Sequence, residues 1–135
     1  MSESDFYDTS ILVYAVSGDE TKADRAEHLI AGGGVISVQV FNEFASVATR
    51  KLRARLSVVR QLLGRFRALC LVVPLDVATH EEGLDLAERY RLPVYDSMIV
   101  AAALRTGCRT LYTEDFADGQ VIEGLTVRNP FAAPP

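Results

Sequence analysis

The sequence predicts an α/β fold: a three-layer α/β/α sandwich around a central, mainly parallel sheet of about five strands. Short apolar stretches, among them Val35-Ile36-Ser37 and Leu71-Val72-Val73, alternate with longer segments of helical periodicity. Parallel strands need crossovers, and helices in those crossovers bury both faces of a sheet. An apolar fraction of 49% over 135 residues, with no low-complexity stretch, is enough for one core, so one domain is expected.

The elements follow in order. Asp5 to Asp8 is a short strand that delivers Asp8 to Thr9-Ser10 and the helical run Ile11 to Val16, closed by Gly18. Thr21 to Ala31 reads as a helix stopped by Gly32-Gly33-Gly34, and Val35 to Ser37 as the second strand. Val38 to Leu52 and Ser57 to Leu69 are the next helices, with Ser57 as the cap of the latter, and Leu71 to Val73 is a strand ended by Pro74. Thr79-His80-Glu81-Glu82 has capping-box spacing and opens a helix to about Arg91. Leu92-Pro93 breaks that helix before another from Asp96 to Thr106, with Gly107 as its stop. Arg109 to Thr113 is a strand, Glu114 to Gly119 a polar loop and Leu125 to Arg128 a last strand before Asn129-Pro130. There is no internal repeat, and the tail from Ala132 to Pro135 is expected to be disordered.

Several function classes are excluded at once. The N-terminus lacks a basic and apolar leader, and the longest apolar run, Met98 to Leu104, is far below the roughly 18 residues of a membrane span, so a soluble cytoplasmic protein is expected. Cys70 and Cys108 are too few for a disulfide framework, and His28 and His80 have no ligand spacing, which disfavours zinc. Cys70, inside the apolar run Leu69 to Val73, reads as a packed core thiol. No phosphate-binding or dinucleotide-binding glycine motif occurs.

A net charge of -4 hides a segregation. Phe44 to Leu75 contains no acid but carries Arg50, Lys51, Arg53, Arg55, Arg60, Arg65 and Arg67, leaving the other seven bases against all eighteen acids. A basic stripe suits a phosphate backbone and clustered acids suit a divalent cation, the two parts of a nuclease. The plainer alternative is a solvated face of amphipathic helices.

In parallel α/β folds the ligand site gathers beyond the carboxyl ends of the strands. Four acids fit that place. Asp8 ends the first strand, Asp115 lies just past the strand Arg109 to Thr113, and Glu43 and Asp96 stand on helices entering the sheet. Each has a structural alternative: Asp8 and Asp96 precede helices and are good N-caps, Glu43 can be a surface residue, and Asp115 sits in an acidic loop. Helical spacing places Asp96 on the face of Val100 and Ala103, the side that should bury, where an uncompensated carboxylate is costly. Glu43 lies at the edge of the stripe of Val40 and Val47. Together the four form an oxygen-only set that selects magnesium, or manganese, over zinc or copper. With lysine only at positions 22 and 51, no lysine is expected near them, which disfavours receiver domains and haloacid-dehalogenase-type phosphatases of the same fold class.

The stretches FYDTSILVYAVSGD, VISVQVFNEF, PVYDSMIVAAAL and LYTEDFADGQVIEGLTVRNPF, each centred on one of these acids, resemble in order and spacing the PIN domains of VapC-type toxins, over about Phe6 to Phe131. The resemblance implies a PIN-like fold and a magnesium-dependent endoribonuclease, with Asp8, Glu43, Asp96 and Asp115 as catalytic metal ligands. It also implies an RNA substrate, a cognate antitoxin of a type II toxin-antitoxin pair and a homodimer. One departure is Ser10, where many members have Asn; serine can still donate a hydrogen bond to a ligating carboxylate, as can Thr113. Arg50, Arg53 and Arg55 are the expected RNA contacts. The apolar residues Val40, Phe41, Phe44, Val58, Leu62 and Phe66 lie on more than one helix face, so a groove between the two helices is expected for an antitoxin segment whose basic residue enters the acidic site. Two alternatives stay open: a non-catalytic PIN-like binding module, and a DNA nuclease, the latter disfavoured by small size.

Overall fold

The computed structural model describes residues 4–132; the predicted tail falls, from residue 133, outside the described residues. Its elements run β1 (Asp5–Tyr7), α1 (Thr9–Ala15), α2 (Glu20–Ala31), β2 (Val35–Ser37), α3 (Val38–Arg50), α4 (Leu56–Leu69), β3 (Leu71–Val73), α5 (Val77–Tyr90), α6 (Val94–Arg105), β4 (Thr110–Tyr112), β5 (Val121–Ile122) and β6 (Leu125–Arg128). They form the expected α/β architecture around one sheet of order β3-β2-β1-β4-β6-β5. All pairings are parallel except β5 with β6. That antiparallel pair brings the sheet to six strands rather than about five. Only two residues long, β5 lies in a stretch too polar and too short for periodicity to reveal it.

Helix starts depart from the predicted ones for identifiable reasons. Asp76, not Thr79, caps α5, its carboxylate accepting from the Thr79 amide at 2.8 Å and the Thr79 hydroxyl at 2.7 Å. Helix α6 starts right after Pro93, which leaves Asp96 in the first turn and not at the cap. Helix α4 begins one residue before Ser57, and its N-cap Arg55 makes no side-chain capping bond. Asp8 does occupy the N-cap of α1, accepting from the Thr9 amide at 2.7 Å.

The chain travels from β1 outward to β2 and β3, then returns to place β4 on the other side of β1. The point of reversal, between β1 and β4, is where the helices diverge and a crevice opens. The core comprises Phe6, Ile11, Leu12, Ile36, Phe44, Ile99, Leu111 and Val127, all fully buried. Helix α6 is buried without interruption from Ser97 to Ala103, which explains its apolar run; the small Ala101, Ala102 and Ala103 let neighbouring elements approach closely. At Gly34, with φ +152°, a Cβ would stand 2.5 Å from the Tyr7 ring, whose hydroxyl donates to the Gly33 carbonyl at 2.6 Å. Cys70 and Cys108 are buried thiols that form no disulfide, and burial pushes Cys70 up to about 11. Among the described residues no helix is long and apolar enough to cross a membrane.

Candidate active site

Register builds the site. Tyr7 of β1 pairs with Tyr112 of β4, so Asp8 and Thr113 emerge side by side one residue beyond the paired strands. The Asp8 amide donates to the Tyr112 carbonyl at 3.0 Å and the Thr113 amide to the Arg128 carbonyl at 3.0 Å, continuing the ladder past the strand ends. Both side chains are buried. The Thr113 hydroxyl donates to Asp8 Oδ2 at 2.6 Å, and it accepts from the Asp115 amide at 3.0 Å. One threonine thereby sets the orientation of Asp8 and the start of the loop carrying Asp115.

Glu43, on α3, is half-buried beside them. The Thr9 hydroxyl donates to its Oε1 at 3.0 Å and Gln39 Nε2 to its Oε2 at 2.9 Å. Asp96 enters from the first turn of α6, half-buried above the fully buried Val100 and Ala103.

The charges of Glu43 and Asp115 act on both Asp8 and Asp96. Burial pushes the Asp8 carboxyl up to about 7; the hydrogen bonds from Thr113 and Thr9 oppose that rise, while the charges of Asp115 and Glu43 add to it. Asp96 is also raised, by burial first and then by Glu43 and Asp115. Asp115, at the exposed rim, is raised by partial burial and by its neighbour Glu114. Like charges disfavour ionisation of Asp8 and Asp96, and a cation bound beside them would relieve that.

The donor set is oxygen only, so in kind it fits a hard divalent cation such as magnesium. In spacing, no three His, Cys, Asp or Glu side chains among the described residues are gathered closely enough to hold an ion. The oxygens of Asp8 and Glu43 accept from Thr113, Thr9 and Gln39.

One expectation is corrected. The Ser10 hydroxyl does not reach a carboxylate but accepts from the Glu114 amide at 3.2 Å. Lys22 engages the neighbouring Glu114 and none of the four acids: the loop after β4 folds back over α1 and α2, putting Lys22 Nζ 2.7 Å from Glu114 Oε2, while the Tyr14 hydroxyl donates to Glu114 Oε1 at 2.8 Å. Lys22 also lies 4.3 Å from the Tyr14 ring centroid, and the ion pair holds Glu114 below the usual carboxylate range. Glu114 and Lys22 are 92 residues apart, so no local pattern signals the contact. Gln39, by contrast, is four residues before Glu43 on one helix face, a spacing that sequence does carry.

A groove of about 780 Å³ opens beside Glu43 and Asp96, with Asn42, Ser46, Arg50 and Tyr95 on its walls. Arg50, Arg53 and Arg55 are all exposed, but only Arg50 lines this groove; the others lie beyond α3 in the connection to α4.

Residues 6–117 match the family model of the PIN domain. The chain belongs to the PIN-domain family. Solved structures similar to this PIN chain include a toxin-antitoxin complex from Klebsiella pneumoniae, 22% identical over 96% of this chain and 100% of that one, with a TM-score of 0.72. VapC20 of Mycobacterium tuberculosis, a toxin described as cleaving the sarcin-ricin loop, is 19% identical over 89% of this chain and 98% of its own, with a TM-score of 0.71. VapBC2 of Rickettsia felis, bound to a DNA fragment from its promoter, is 20% identical over 93% and 97%, with a TM-score of 0.67. At these identities the likeness establishes the PIN fold. No curated protein sequence matches significantly.

Proposed function

We propose that this PIN chain is a magnesium-dependent endoribonuclease, with manganese as a substitute ion, and that it is the cytoplasmic toxin of a toxin-antitoxin pair. The observation that carries the reading is geometric: Thr113 ties Asp8 to the start of the Asp115 loop beyond the ends of β1 and β4, Thr9 ties the same strand end to Glu43, and Asp96 lines one groove with Glu43. A divalent ion held by these four residues would supply Lewis-acid activation of water and neutralise charge on the scissile phosphate. Thr113 and the Thr9 amide fix the orientation of Asp8 and favour its ionised form against the cost of burial. Gln39 and the Thr9 hydroxyl do the same for the two oxygens of Glu43. Arg50 on the groove wall takes RNA phosphate, with Arg53 and Arg55 extending the track.

The protein partner is a cognate antitoxin, a reading supported by the fold shared with toxins solved in toxin-antitoxin complexes. Of the residues expected in a groove between α3 and α4, Val40 and Phe44 are fully buried in the core; a different cleft, between α1, α2 and α4 and lined by Ala15, Ile30, Leu62, Phe66 and Leu69, offers an apolar seat for an antitoxin segment. The exposed Leu52, Leu56 and Val58 supply apolar surface for a homodimer.

Purified protein incubated with RNA and with single-stranded DNA, in magnesium and then in chelator, tests the activity. Chelator-sensitive RNA cleavage is expected. Binding without cleavage would make the chain a binding module, and cleavage of DNA alone a DNA nuclease. Expression with and without the neighbouring open reading frame tests the rest: harmless expression and a monomeric mass would remove the toxin and the homodimer together.

A further inference from the structure

Aromatic side chains bury large apolar areas and dominate cores, so an exposed one is informative when it stands beside a reactive centre. Every Phe and Tyr of this chain is buried or half-buried except Tyr95, which is 67% exposed. Its ring stacks on no other aromatic and its hydroxyl makes no hydrogen bond among the described residues. Folding therefore does not use it. Tyr95 is nonetheless held firmly, because it precedes Asp96 in the first turn of α6, the helix that is buried from Ser97 to Ala103.

Its groove has two chemically different walls. Val94, 48% exposed, and Tyr95 form an apolar lip on one side. Facing them, α3 presents the Asn42 amide and Arg50, whose Nε donates to Ser46 Oγ at 2.9 Å and whose other N–H groups make no hydrogen bond among the described residues. Glu43 and Asp96 lie at the edge shared by both walls. The volume, about 780 Å³, is within the usual range for a small-ligand site. An aromatic platform opposite a guanidinium suits a planar base joined to an anionic phosphate. Bases in a duplex have both faces covered by their neighbours, so such a platform selects an unpaired one.

We propose that this groove is a subsite for one unpaired nucleotide of single-stranded RNA, with Tyr95 stacking on the base and Arg50 contacting a phosphate. The inference rests on the ribonuclease reading and adds which side chains, Tyr95 and Arg50, hold the nucleotide next to Glu43 and Asp96. A second copy of the chain seated on Tyr95 would cover those two acids, which is why RNA is the assigned occupant.

The test uses single-stranded oligoribonucleotides containing 2-aminopurine, titrated in magnesium onto cleavage-deficient Asp8→Asn protein with and without a Tyr95 substitution. Tyr95→Ala is expected to weaken binding about fivefold or more and to abolish the fluorescence quenching that stacking produces. Tyr95→Phe should preserve both. Arg50→Ala should lower the log-log salt slope by about 0.7. Duplex RNA of the same sequence should bind with or without Tyr95 alike. Affinity and quenching left unchanged by Tyr95→Ala overturn the inference and leave the ribonuclease reading standing. Failure of the unsubstituted chain to bind or cut any RNA overturns both. Loss of dimer mass in Tyr95→Ala with RNA binding unchanged assigns the groove to a second copy and likewise overturns the inference.

Discussion

The Thr113 hydroxyl donates to Asp8 Oδ2 across 2.6 Å, joining the ends of two neighbouring parallel strands from positions 105 residues apart. A hydrogen bond to the charged form favours that form, so this contact partly offsets the burial that raises Asp8. Replacing Thr113 by Val keeps the shape and removes the donor. Asp8 should then rise above about 7, the acidic limb of the pH-rate profile should move to higher pH, and activity at pH 7 should fall about tenfold. A profile superimposable on that of the unsubstituted enzyme would contradict this.

Asp8 also makes stability depend on pH. Its carboxyl rises from 3.8 to about 7 on folding, so the folded state binds more protons between those values. The contribution is fully present below about pH 4 and is lost as pH rises to 7, by no more than about 4 kcal/mol. Metal-free protein should therefore melt at higher temperature as pH falls from 7 towards 5. Asp8→Asn should flatten that dependence and melt higher at pH 7, while magnesium should raise the melting temperature of the unsubstituted protein alone. Thermal scans across pH, with and without magnesium, check all three.

Asp96→Asn removes one member of the coupled set without touching the core beneath it. Cleavage should fall by at least about 100-fold, with fold and RNA binding retained. Chelator should bring the unsubstituted enzyme to the same level and added magnesium should reverse that loss. Near-normal turnover in Asp96→Asn would remove this residue from the assignment.

Charge reversal at Arg50, Arg53 and Arg55 should weaken RNA binding and reduce the log-log salt slope by about 2, the amount for three lost contacts to a single strand. An unchanged slope with reduced activity would show that these exposed side chains act elsewhere, and antitoxin binding by the same variants would locate that role.

Lys22 anchors Glu114, the residue before Asp115. Lys22→Met leaves the Glu114 carboxylate with only the Tyr14 hydroxyl, loosening that side chain and adding unpaired negative charge beside Asp115. Manganese affinity should change by about tenfold while the melting temperature moves little, and Lys22→Arg should restore it. Calorimetric titration with manganese reads this without relying on turnover.

What sequence determined by itself is what contacts within one turn or one strand determine. The short apolar run at Val35-Ile36, preceded by glycines, and the face shared by Asp96, Val100 and Ala103 at a period of 3.6 residues are local signals, so the α/β class, the helices and the half-buried position of Asp96 were legible. The position of Asp8 at a strand end and a helix start was legible for the same reason. Only tertiary structure decided which residues meet across the sheet. β1 sits between β2 and β4, and that order, set by how crossovers pack rather than by any local pattern, puts Asp8 beside Thr113, Thr9 on Glu43 and Lys22 on Glu114. It also left Tyr95 outside the core, since an aromatic beside an apolar helical run reads as buried until its neighbours in space are known.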